Sequence, residues 1–154
     1  MKWVRIGAVE EQATTAVYEF LSGLCGEYSN FREWYYEKIV PGLASEERLI
    51  YAVMDNETIA AVLILKNTEK ICTLRVAEDY RNQGIATALL KVAFKELQCA
   101  RPIITVSSYH IDEFKSLLEK NGFVLYKEYI DYYKQGIVEY AFNGPLNETI
   151  VFKR

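Results

Sequence analysis

The sequence predicts one mixed α/β domain, a sheet of antiparallel and parallel strands with helices on its faces. The 154-residue chain fits a single domain spanning residues 1–154, without internal repeats or linkers. Its predicted elements run strand, two helices, three strands, helix, strand, helix and terminal strands. A strand–helix–strand unit thus lies between antiparallel hairpins, which is typical of a mixed sheet covered by helices.

The N-terminal third predicts one strand and two helices. Residues 2–7 (KWVRIG) form a short strand pattern, and apolar residues recur at helical spacing over 12–24. A second helix is predicted over 29–39, where Ser29 or Asn30 could cap it. The Pro-Gly-Leu stretch that follows is predicted to end this helix.

The middle of the chain predicts three consecutive strands and the clearest helix. Strands over 49–54 and 59–66 flank the turn sequence DNET and form a hairpin, and 70–77 adds a third strand. The helix over 84–98 carries one apolar stripe. That stripe consists of Ile85, Ala88, Leu89, Val92, Ala93 and Leu97.

The C-terminal third predicts a central strand, a helix and a long hairpin. Residues 102–108 are a short apolar strand, and a helix over 111–120 follows. The patterns of 123–133 and 137–142 flank the turn KQG and predict antiparallel strands, with an edge strand over 148–152. This hairpin offers an edge at which two copies could pair, so a homodimer is left open.

Composition disfavours several classes of function. A net charge of −3 lacks the basic excess of nucleic-acid binders, and no stretch approaches the ~20 apolar residues of a membrane span. One histidine and three widely spaced cysteines without a CxxC pair argue against a structural zinc site, so no metal is expected. The N-terminus also lacks the apolar core of a signal peptide. We therefore expect a cytoplasmic protein with reduced thiols.

The turn between strand 70–77 and helix 84–98 has the features of an anion site. The start of a helix has about four backbone N–H groups without partners and a partial positive charge. Gly84 lies at this start and lets an anion approach the backbone, while Arg81 can supply charge. Ala86 is small and also permits close approach.

The sequence Arg81-Asn82-Gln83-Gly84-Ile85-Ala86 resembles the coenzyme A loop of the GNAT family of N-acetyltransferases, whose signature is Gln/Arg-x-x-Gly-x-Gly/Ala. A strand precedes it, a helix follows it, and a Gly-Phe pair at 122–123 follows a second strand–helix pair, as the family pattern requires. The resemblance covers about residues 49–123. The chain lacks GxxxxGK[ST] and GxGxxG, which disfavours other nucleotide loops.

The resemblance implies a mostly antiparallel sheet of about seven strands, in which the strands at 70–77 and 102–107 splay apart around the arm of acetyl-CoA. It implies direct transfer of the acetyl group to a primary amine of a small molecule or peptide. A backbone amide near Val76 would stabilise the thioester oxygen as it gains charge. The implied cofactor contacts are Leu74, Arg75, Val76, Arg81, Asn82, Gln83, Gly84, Ile85, Ala86 and Thr87.

The chain departs from the family at two catalytic positions, because Leu118 and Ile111 stand where a tyrosine and an asparagine are common. Local substitutes follow strand 102–108: Tyr109 as acid, Ser107 to order a water, and His110 as base. The alternative is that this Ser-Ser-Tyr-His stretch is a polar loop without a chemical role.

In the family, the segment between the first strand and the second helix borders the acceptor. By position this assigns Glu27, Phe31, Trp34 and Tyr35 to the substrate side, with the aromatic residues forming a wall for an amine. The alternative is that these aromatic residues pack in the core.

Two other functions compete with the enzyme. One is a catalytically silent acyl-CoA-binding or regulatory module, which the missing tyrosine favours. The other is an unrelated mixed-sheet domain that binds another phosphate. The sequence does not identify the acceptor amine.

Overall fold

The computed structural model describes residues 1–23 and 30–146. Its described strands form one seven-stranded sheet in the order β1-β2-β3-β4-β5-β7-β6. The strands are β1 (Lys2–Ile6), β2 (Arg48–Asp55), β3 (Thr58–Lys66), β4 (Lys70–Val76), β5 (Ile103–Ser107), β6 (Leu125–Ile130) and β7 (Val138–Phe142). The predicted strand over 148–152 lies outside the described residues.

Among the described strands, only one pair of neighbours is parallel. β1 to β4 pair antiparallel in sequence order, as do β5 with β7 and β7 with β6, whereas β4 and β5 run parallel. The parallel pair is joined through a helix, because a hairpin cannot connect parallel neighbours. The mixed, mostly antiparallel sheet that the sequence predicted is confirmed.

The helices cover both faces of the sheet. They are α1 (Glu11–Ser22), α2 (Phe31–Trp34), a π-helical segment (Tyr35–Ile39), α3 (Val40–Ala44), a 3-10 turn (Glu78–Tyr80), α4 (Ile85–Leu97) and α5 (Ile111–Lys120). No helix within residues 1–23 and 30–146 is both long and apolar enough to cross a bilayer.

Buried apolar side chains form two clusters, one on each face. The α4–α5 core contains Leu63 of β3 together with Leu89 of α4. The α1–α3 core contains Val62 of β3 together with Tyr35. Successive residues of a strand point to opposite faces, so β3, at the centre of the first four strands, contributes to both cores.

The second helical segment continues beyond the point where the sequence predicted it to end. The prediction that Pro-Gly-Leu at 41–43 ends the helix is wrong, because α3 extends to Ala44. The π segment just before it changes the hydrogen-bond register, with the Val40 N–H bonding the Tyr35 carbonyl five residues back. In a regular α-helix a proline lacks the N–H donor for the helical hydrogen bond, and its ring clashes with the preceding turn. The wider turn of the π segment accommodates Pro41.

Candidate active site

A cleft opens where β4 and β5 part. The two strands pair only at Lys70 with Ile103 and at Ile71 with Ile104. The ladder between β3 and β4 skips Cys72, which makes a bulge directly after the last of these pairs. A bulge bends the strand that carries it, and here it accompanies the divergence of β4 from β5.

Both diverging strands and one helix line this cleft. The cleft includes the region in which, according to the resemblance, the arm of the cofactor would lie. The lining residues are Cys72, Thr73, Leu74, Arg75, Ile104, Thr105, Val106 and Phe114.

The turn before α4 presents exposed backbone beside the cleft. Gly84 precedes the helix with a φ of 82°, and Asn82 has a φ of 62°. A Cβ atom at Gly84 would meet nothing within 4 Å. The N-cap residue is Gly84, so no capping side chain occupies the first turn, and that turn contains no acidic residue. The space and the N–H groups that an anion requires are therefore both present.

Side chains of the turn hold it against the rest of the fold. The Tyr80 hydroxyl donates to Asp55 Oδ2 at 2.8 Å, and this hydrogen bond raises the pKa of Tyr80. The Gln83 side-chain amide donates to the Asp79 carbonyl at 3.4 Å. The turn is thus tied to the β2–β3 hairpin and to itself.

Arg81 bridges the end of β4 and the start of α5. Its Nε donates to the Val76 carbonyl at 3.3 Å, and its Nη1 lies 2.9 Å from Glu113 Oε1. The second carboxylate oxygen of Glu113 lies 3.0 Å from His110 Nδ1. In this arrangement the Arg81 charge, which the sequence assigned to a phosphate, is paired with a carboxylate.

The three predicted catalytic residues lie at the end of β5 but do not line the cleft. Ser107 is buried, and its Oγ has no hydrogen-bond partner among the described residues. Tyr109 is 49% exposed, and its hydroxyl accepts a hydrogen bond from Lys134 Nζ at 3.4 Å. The Nδ1 atom of His110 is within hydrogen-bond distance of the Glu113 carboxylate. Their catalytic roles stay predictions.

Sequence reasoning overlooked Glu139. It is 2% exposed and stands directly opposite Ser107 in the β5–β7 ladder, so the two side chains share a face of the sheet. A carboxylate this deeply buried is rare unless it is paired. A single charge within the apolar run IVEYAF was the available signal.

The aromatic residues assigned to the acceptor contribute mostly to the core. Trp34 is 6% exposed and Tyr35 is fully buried, as the core-packing alternative expects, and their assignment to the acceptor stays a prediction. The Tyr35 hydroxyl donates to the Thr14 carbonyl at 2.6 Å, and burial raises the pKa of Tyr35. Phe31 is half-buried and stacks on Tyr18 with centroids 5.7 Å apart. Glu27 lies outside the described residues.

The two positions at which the chain departs from the family pattern are apolar and packed. Leu118 is fully buried in the α4–α5 core, and Ile111 packs against it. No titratable side chain can act from either position.

The family profile described as acetyltransferase (GNAT) domain matches residues 12–138. The chain belongs to the GNAT acetyltransferase family. A search of curated proteins gave no match.

Solved structures of this family share the fold. A GNAT-family acetyltransferase from Desulfovibrio desulfuricans is 13% identical with a TM-score of 0.71, covering 92% of this chain and 97% of that one. A chain of the NatC complex bound to Gag peptide and CoA is 18% identical with a TM-score of 0.71, covering 96% and 100%. A chimera of the spermidine N-acetyltransferase SpeG from Vibrio cholerae and hSSAT is 13% identical with a TM-score of 0.66, covering 92% and 95%.

Proposed function

We propose that this GNAT domain is an acetyl-CoA-dependent N-acetyltransferase that acts on a primary amine of a small molecule or peptide by direct transfer. One observation carries the proposal: the exposed start of α4 at Gly84 opens beside the cleft between β4 and β5. A diphosphate and an extended arm require these two features in this order. The CoA in the NatC structure supports the choice of cofactor.

The residues present fit such a cofactor. First-turn N–H groups of α4, from Ile85 to Thr87, would hold the diphosphate, because Gly84 leaves the space above them empty. Main-chain groups of Leu74 to Val76 would bind the arm, since β5 does not pair with this part of β4. When bound, acetyl-CoA supplies a thioester that a neutral amine can attack.

The chain must also handle two protons. An alkyl amine with a pKa near ~10 must lose a proton before it attacks, and the thiolate that leaves needs one. We assign these tasks to the end of β5, with Tyr109 as acid, Ser107 as a holder of water and His110 as base. Glu113 would fix the orientation of the His110 ring through Nδ1, as the aspartate of a Ser-His-Asp triad does for its histidine.

The acceptor is proposed only as a class. The structural neighbours include one bound to a peptide and one named for spermidine, so both peptide and small-molecule amines belong in the test. A cytoplasmic location and pairing of two copies at the terminal hairpin stay predictions.

The deciding experiment is release of free thiol from acetyl-CoA with a panel of amines. We expect thiol release that depends on one class among polyamines, aminoglycosides, amino acids and peptide N-termini. CoA binding without acceptor-dependent release from any of these classes would instead favour the silent module. The burial of Leu118 at the position of the usual tyrosine favours that second candidate.

Tyr109→Phe tests the assigned acid. If Tyr109 protonates the thiolate, kcat should fall by about a hundredfold or more while the Kd for CoA changes little, because the hydroxyl acts only during transfer. Tyr126→Phe, an exposed tyrosine on β6, is the matched control. A wild-type kcat in Tyr109→Phe would remove Tyr109 from the mechanism.

A further inference from the structure

The side chain of Arg75 passes through the sheet in the gap between β4 and β5. In the β3–β4 ladder Arg75 pairs with Val62, which belongs to the α1–α3 core. Directly paired residues share a face, so the Cβ of Arg75 points to that side. Its Cζ nevertheless lies 5.6 Å from the ring centroid of Phe114, which belongs to the α4–α5 core on the other side. Only the gap beyond Ile71 lets the chain cross.

Inside the gap the guanidinium binds the backbone of its own strand. Nη1 donates to the Leu74 carbonyl at 2.9 Å, next to the unpaired edge of β4. Nε is buried and has no hydrogen-bond partner among the described residues. Burying a polar group without a partner costs free energy, so this position is held less firmly than a satisfied one.

The arm of coenzyme A resembles this side chain in shape and in its N–H donors, although the guanidinium is charged and the arm is neutral. Both are narrow chains of methylene groups that carry N–H donors, and both would use main-chain acceptors of β4. The guanidinium already occupies the gap beside the unpaired edge of β4, so the arm would have to displace it in order to reach the same main-chain groups.

We propose that Arg75 is an internal plug that competes with the arm of acetyl-CoA for the gap between β4 and β5. This inference rests on the proposed function of the cleft. Because the Cβ of Arg75 points to the α1–α3 face, the side chain can leave by rotation without a shift of the strand. Acetyl-CoA then binds only the state in which the Arg75 side chain has left the gap. The free energy needed to populate that state weakens the observed affinity for the cofactor.

The plug affects only ligands that have an arm. The nucleotide half of CoA, 3′-phosphoadenosine 5′-diphosphate, would bind at the start of α4 and leave the gap untouched. Arg75→Ala should therefore tighten CoA binding while leaving the affinity for the nucleotide half unchanged.

Calorimetric titration of the full chain with CoA and with 3′-phosphoadenosine 5′-diphosphate tests this. We expect Arg75→Ala to bind CoA about threefold to tenfold more tightly than wild type, the range for one lost charge-assisted contact. The Kd for the nucleotide half should stay within about twofold. Arg101→Ala, which removes an exposed arginine before β5, controls for net charge. Arg75→Met keeps an unbranched chain without donors and should shift the Kd in the same direction, by less.

The outcomes separate this inference from the proposed function. Equal or weaker binding of CoA by folded Arg75→Ala and Arg75→Met would overturn the plug while leaving the cofactor site standing. Failure of every protein to bind CoA would overturn both. In wild type, the NMR signal of the Arg75 Nε–H should move on addition of CoA and stay in place with the nucleotide half. A signal that CoA does not move would also overturn the plug.

Discussion

The turn at 77–84 and the helical segment at 31–44 both carry side chains that the sequence assigned to ligands, and the structure treats them in opposite ways. The turn exposes its backbone, places Asn82 and Gly84 at positive φ, and contributes little to the core. The helical segment buries Trp34 and Tyr35 in the α1–α3 core. Exposed backbone at a helix start leaves room for a ligand, whereas aromatic residues at helical spacing can be taken up by the core.

The largest expected effect tests the turn. Gly84→Glu should weaken CoA binding by about a hundredfold or more, roughly 3 kcal/mol, because a charged side chain would occupy the space left for the diphosphate. Isothermal titration measures it. Gly122→Glu is the matched control, since Gly122 has a φ of 86° and equally open space, so both variants carry the same backbone strain. Unchanged affinity in Gly84→Glu would contradict the assignment of the turn.

A smaller effect is expected on the helical side, and on stability alone. Tyr35→Phe should lower the free energy of unfolding by about 1–2 kcal/mol, because the buried hydrogen bond to the Thr14 carbonyl is lost. Denaturant titration measures this loss. Tyr36→Phe serves as control, because Tyr36 is a half-buried neighbour in contact with the same rings. A changed KM for the acceptor with unchanged stability would instead support the assignment of Tyr35 to the substrate side.

The smallest expected effect tests the link between the turn and α5. Glu113→Gln should tighten CoA binding by about twofold to fivefold, since it releases Arg81 and removes a negative charge near the expected diphosphate. The gain should shrink at high salt because the groups are partly exposed. Glu119→Gln, on the same helix, is the control. Weaker CoA binding in Glu113→Gln would mean that the carboxylate positions Arg81 for the cofactor.

Local patterns predicted most element positions closely. The helix predicted over 84–98 is observed at Ile85–Leu97, and the strand predicted over 59–66 at Thr58–Lys66. An apolar stripe with a glycine at its start, or a continuous apolar run after a turn, leaves few alternatives for the backbone. The prediction that Pro-Gly-Leu at 41–43 ends the second helix was wrong because a π segment, for which the sequence has no local pattern, accommodates the proline.

The candidate site also contains features that the local sequence predicts and features that depend on distant residues. The turn at Gly84 was predictable because glycine at a helix start has a local reason. The burial of Glu139 opposite Ser107 was not, because the two residues lie on strands separated by α5 and β6 in the sequence. The pairing of Arg81 with Glu113 likewise joins two elements whose spacing the sequence does not encode locally.

By itself the sequence determined the order of helices and strands, the mixed sheet and the exposed turn before α4, because each depends on residues close together in the chain. Only the tertiary structure decided where β4 leaves β5, that Arg75 crosses the gap, and that Tyr35 is core rather than surface. These features depend on which distant side chains fill the same volume. A short-range pattern shows which face of an element is buried, but not which distant side chains pack against that face.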